Sequence, residues 1–134
     1  MIVADANLFL YLVVQGPNTE AARAVVVRDD VWAAPRLWRS EVLSALSAHM
    51  RRGDMGIADA LGMFAGAEAA VGGREFDTEP ADVLELAARS GCSTYDCEYV
   101  AVARALGVPL VTADKQVLRA FPGTAVSPEA FVAR

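Results

Sequence analysis

The sequence holds little of what marks several large classes of protein. Among its 134 residues there are two cysteines, Cys92 and Cys97, and one histidine, His49, which has no cysteine or histidine near it. That excludes a disulfide framework and a four-ligand zinc site, and all three residues read as structural. No apolar run approaches the roughly 18 residues of a membrane helix. Met1 leads into Ile2 and Val3 without the basic stretch of a signal peptide, so a cytoplasmic chain with no membrane contact is expected. Repeats, linkers and low-complexity tracts are missing too. Positive charge is the scarcer sign: 12 Lys and Arg stand against 17 Asp and Glu, a net −5, without the basic footprint of a nonspecific nucleic-acid binder. That exclusion lapses if several acids converge on a divalent cation, which reverses the local field and presents positive charge to a phosphate.

Apolar residues, in contrast, make up 54% of the chain, and the mean hydropathy is +0.31. The length fits one domain over residues 1–134 with a sizeable core. Such apolar richness in a small chain implies that some surface is covered by a partner, and a homodimer is the simplest form of that partner.

The most informative stretch is residues 94–115. Thr94 reads as an N-cap, and Tyr99, Val102, Ala103 and Leu106 recur at helical spacing until Gly107 stops the helix. Val108 to Val111 then form a short apolar run like a strand buried on both faces of a parallel sheet, with Asp114 just beyond its end. Functional groups in open α/β sheets gather past the carboxyl ends of strands, which is where Asp114 stands. Asp96, in the first turn of the preceding helix, is positioned to face the same crevice.

Elsewhere the pattern alternates strand and helix. Residues 1–4 read as a strand closed by Asp5, which suits an N-cap and a functional group equally well. A helix over ANLFLYLVV follows, then one from Asn18 or Thr19 to about Arg28, and a short strand at Val31 to Ala33 stopped by Pro35. The third helix runs from about Leu37 to Arg52 and buries Leu37, Val42, Leu43, Leu46 and Met50. Its Glu41, taken alone, is an acid complementing a helix dipole. Residues 55–71 form an unusually small and apolar helix, suited to core packing or to a second subunit. An edge strand around Arg74 to Asp77, a helix from Pro80 to Ser90, a short helix from Lys115 to Ala120, a strand at Ala125 and Val126 and a terminal helical turn complete the chain. The expected fold is a three-layer α/β/α sandwich around a mostly parallel sheet of four or five short strands.

If the strands ending at Asp5 and Asp114 are neighbours, both carboxylates open onto one sheet edge, within reach of Asp96 and Glu41. Four acids in one cleft repel unless a cation joins them, and oxygen ligands without His or Cys favour Mg²⁺ or Mn²⁺ over zinc. A cation so held can activate water and neutralise a phosphate under attack, so phosphodiester hydrolysis is the natural chemistry.

On VADANLFLYL, RSEVLSAL, YDCEYVAVARALGVPLVTAD and the overall length, the chain resembles the PIN-domain nucleases, and within them the VapC-type toxins of toxin–antitoxin modules. The resemblance implies a Mg²⁺-dependent endoribonuclease, with Mn²⁺ able to substitute, that cuts single-stranded or looped RNA until a cognate antitoxin binds. By position it implies catalytic roles for Asp5, Glu41, Asp96 and Asp114, with Asp5 and Asp96 as direct metal ligands. Asn7 and Thr112 would orient the carboxylates or serve as ordinary turn residues. Glu98 reads as a solvated helix residue. Arg36, Arg39 and Lys115 are candidates for RNA phosphates and Trp38 or Tyr95 for base stacking, with Trp38 equally suited to the core. The competing readings are a PIN-domain nuclease of RNA processing, a non-catalytic acidic metal-binding regulatory domain, and a degenerate scaffold. The four acids argue against the last, and the missing mid-chain acceptor Asp argues against a phosphoacceptor receiver.

Overall fold

A computed structural model describes all 134 residues. Five strands, β1 (Ile2–Ala4), β2 (Trp32–Pro35), β3 (Glu75–Phe76), β4 (Leu110–Val111) and β5 (Ala125–Val126), form one sheet in the order β3-β2-β1-β4-β5. Every pairing is parallel, so the sheet is wholly parallel where a mostly parallel one was expected. β1, β2, β4 and β5 are short apolar runs buried throughout, and the edge strand β3, Glu75–Phe76, is half-buried. Such runs are covered on both faces in a parallel sheet.

Eight helices cover the sheet: α1 (Ala6–Val13), α2 (Thr19–Arg28), α3 (Trp38–Arg51), α4 (Ile57–Val71), α5 (Pro80–Ser90), α6 (Thr94–Leu106), α7 (Lys115–Ala120) and α8 (Pro128–Val132). α1 packs against α2, α3 and α4, whereas α6 pairs with α5 and lies along β1, β2 and β4. The result is the three-layer α/β/α architecture. No helix is long and apolar enough to cross a membrane.

The core is one cluster of 34 buried apolar residues. Its aromatic centre is Trp38, stacked on Phe64 and tilted against Phe9, each at 5.4 Å between ring centroids. The Trp38 indole donates to Glu75 at 2.8 Å, so this ring is core and not a platform for bases. Three expectations change in detail. Pro35 belongs to β2, as its last residue, where a missing N–H interrupts no continuing ladder. Ser93, not Thr94, caps α6, its hydroxyl accepting the Asp96 N–H at 3.1 Å. Leu43 and Met50 are exposed, because α3 buries the stripe of Trp38, Val42 and Leu46 and turns its other apolar positions outward.

The sheet order fixes where a site can form. From β1 the chain builds outward through β2 to β3, then returns to the other side of β1 for β4 and β5. The reversal lies between β1 and β4, the place where open α/β sheets leave a crevice past the strand ends.

Candidate active site

Ala4 pairs with Val111, so the residues that follow, Asp5 and Thr112, stand side by side at the mouth of that crevice. Asp5 occupies the N-cap position of α1, yet its side chain makes no capping hydrogen bond. The Thr112 hydroxyl instead donates to Asp5 Oδ2 at 2.7 Å. The same hydroxyl oxygen accepts the Asp114 N–H at 3.0 Å, and Thr112 is only 1% exposed. Asp114 caps α7, taking the Val117 N–H on Oδ1 at 3.1 Å. Of the two readings of Asp5, the side-chain cap is not the one observed, whereas Asp114 does cap its helix.

Asp96 comes from the first turn of α6 and Glu41 from the first turn of α3. Their electrostatics show how the acids meet. Burial holds the Asp5 carboxyl above the usual aspartate range, against the Thr112 hydroxyl and the Ala6 N–H, and repulsion from Asp96 and Asp114 pushes it further up. Asp96 is raised by burial and by Asp114, opposed by Ser93. Glu41 is raised by burial, opposed by Tyr99 and pushed further by Asp5, Asp96 and Glu98. Asp5 and Asp96 thus lie within electrostatic range of each other and of both Glu41 and Asp114 at one sheet edge. None of them is in an ion pair.

Asp5, Asp96 and Thr112 line a tight cleft with Tyr99, Leu110 and Val117 that, as it stands, has no room for a water molecule. A wider concavity of about 410 Å³ lies between α1 and α3, lined by Leu10, Tyr11, Val14 and His49 among others, and holds none of the four acids. Size alone does not identify a site, whereas clustered unpaired carboxylates do point to chemistry.

As they stand, no three His, Cys, Asp or Glu side chains are drawn into a ready-made metal cage. The donor chemistry nonetheless suits a hard divalent cation: carboxylate oxygens alone, with neither His nor Cys among them. Glu41 Oε1 is buried without a partner, which is the state of an acceptor lacking its donor or cation.

Other candidates divide clearly. Thr112 orients Asp5, but Asn7 is exposed and hydrogen-bonds no carboxylate, opening instead toward the α1–α3 concavity. Glu98 is partly buried and accepts from the Thr78 hydroxyl at 3.4 Å, so it is not a freely solvated helix residue. Arg36 is engaged with Glu75 and Asp77, and Arg39 with Glu68 while lying over the Trp38 and Phe64 rings. Tyr95 is 63% exposed and Lys115 is exposed without an ion pair, each adjacent in sequence to a site acid. Tyr99 was legible only as part of the apolar stripe of α6. Its position three residues after Asp96, on the same helix face, is the signal that places it at the pocket.

A family model of the PIN domain matches residues 2–122. The crystal structure of PAE2754 from Pyrobaculum aerophilum is similar in fold, with a TM-score of 0.75 over 99% of this chain and 94% of that one, at 23% sequence identity. No curated protein sequence matches the chain significantly.

Proposed function

The chain belongs to the PIN-domain family, whose members are typically nucleases, and from that premise we propose that it is a divalent-metal-dependent endoribonuclease acting as the toxin of a toxin–antitoxin pair. The observation that carries this reading is the meeting of Asp5, Glu41, Asp96 and Asp114 at the β1–β4 edge with no cationic side chain paired to any of them.

In this reading Asp5 and Asp96 hold Mg²⁺ or Mn²⁺ directly, and Glu41 and Asp114 complete the pocket through water or a second cation. When bound, such a cation supplies charge neutralisation at the scissile phosphate and a water acid enough to attack it. The protein's own contribution is orientation. Thr112 fixes the rotamer of Asp5 and, by donating to it, favours the charged form that a cation needs. Asp114 is held by its cap, which commits Oδ1 to the Val117 N–H. Tyr95 and Lys115, exposed beside Asp96 and Asp114, supply a stacking face and a positive charge for a single strand.

The toxin role is supported by surface composition. Leu43, Ile57, Leu61 and Leu84 are 49%, 66%, 62% and 63% exposed in a chain of net charge −5. That surface suits a homodimer and an antitoxin whose amphipathic helix or tail brings apolar and basic side chains together. The test is incubation of the purified protein with transfer RNA, ribosomal RNA and total RNA, with Mg²⁺, with Mn²⁺ and with a chelator, alongside growth of cells expressing it. Metal-dependent cutting and growth arrest support the reading. High-yield expression without a growth defect, or cutting unaffected by chelator, opposes it.

A further inference from the structure

Tyr99 is 2% exposed, its ring packed in the core, and it borders the pocket beside Asp5, Asp96 and Thr112. The phenol lies close enough to the Glu41 carboxylate to favour its charged form, yet neither the hydroxyl nor Glu41 Oε1 completes a hydrogen bond of good geometry. These are the two buried side-chain polar atoms in the whole chain left without a partner. A donor and an acceptor stranded next to each other are costly where the rest of the interior is satisfied. Packing does not account for the oxygen, because phenylalanine would fill the same space without stranding it.

We propose that Tyr99 is a positioning residue of the acid pocket, its hydroxyl donating to Glu41 and holding that carboxylate toward the cation shared with Asp5 and Asp96. The inference rests on the metal-dependent reading above. Were Glu41 to reach a cation with one oxygen, the other would remain free to accept from Tyr99, so the one arrangement would give both stranded atoms a partner. A phenol suits this task because it donates a hydrogen bond without adding charge. Lysine or arginine at the same place would neutralise the field on which cation binding depends.

The probe is Mn²⁺ alone, with binding followed by calorimetry and by the metal-induced rise in Tm, in the parent, Tyr99→Phe, Glu41→Gln and the double variant, with Asp5→Asn alongside. Tyr99→Phe is expected to keep or raise the metal-free Tm and to bind Mn²⁺ roughly 10–100-fold more weakly. In the Glu41→Gln background the same substitution should produce no further loss, since its effect runs through Glu41. Parent-like affinity in Tyr99→Phe, an equal loss in both backgrounds, or a lowered metal-free Tm would overturn the role. If the parent binds Mn²⁺ and Asp5→Asn does not, the metal reading stands whatever Tyr99 does. A parent that binds no Mn²⁺ overturns both.

Discussion

Thr112 donates its hydroxyl to Asp5 across 107 residues of sequence, at 2.7 Å. The bond ties the end of β4 to the end of β1, and the same oxygen receives the Asp114 N–H. One buried hydroxyl therefore sets two of the four site acids, and it does so at the point where the strand order reverses.

Replacing Thr112 by valine keeps the shape and removes both hydrogen bonds. Cleavage is expected to fall roughly 10–100-fold, the usual scale for groups that orient metal-binding carboxylates. Thr112→Ser should retain most of it. Initial-rate measurements on one RNA substrate check this, and equal rates for the valine variant and the parent would remove Thr112 from the account.

The raised carboxyls set a pH dependence. Asp5, Glu41 and Asp96 stand above their ordinary values of 3.8, 4.5 and 3.8, through burial first and mutual repulsion after it. The folded, metal-free chain then binds protons more tightly than the unfolded chain between those values and the raised ones. Stability should fall as pH rises through that window and stay reduced above it. Asp5→Asn should raise the metal-free Tm at neutral pH and flatten the fall. A Tm series in chelator from about pH 4 to pH 7 checks the sign, and Mn²⁺ affinity should grow over the same range.

Two aromatics near the site acids should behave oppositely. Trp38→Ala empties the stacked aromatic centre and should destabilise by about 3–5 kcal/mol in chemical denaturation. Tyr95→Ala should leave stability within about 0.5 kcal/mol and weaken single-strand RNA binding by about 1–3 kcal/mol. Unchanged RNA binding would leave Tyr95 an ordinary exposed residue.

The exposed apolar positions of α3 and α4 give a fourth expectation. Sedimentation should show self-association of the parent that Leu61→Asp or Leu43→Asp reduces, with the metal-free Tm little changed. A parent that stays monomeric at high concentration would exclude the homodimer.

Much of this is legible in the sequence, for local reasons. The apolar runs before Asp5 and Thr112, bounded by acids and by Gly107, give the strands and the ends at which a site forms. The meeting of those ends was not local, because it depends on β4 returning to lie beside β1 and on the pairing of Ala4 with Val111. Burial on α3 is not legible in the sequence for the same reason. Its apolar residues cover more than one face, and only packing against α1 and α4 decides that Trp38 goes in while Leu43 and Met50 stay out. At α6, Ser93 and Thr94 are both good caps, and their difference is a single residue of helix start. Tyr99 stayed hidden because its ring obeys the apolar stripe and only its oxygen breaks it.

The most direct test of the central claim is RNA cleavage by the parent, Asp5→Asn and Asp96→Asn, each confirmed folded, with Mg²⁺ or Mn²⁺ and with chelator. The account predicts cutting by the parent that requires metal and is abolished in both variants. Cleavage that survives in both variants, or a folded parent that cuts none of transfer, ribosomal or total RNA with either metal, would contradict it.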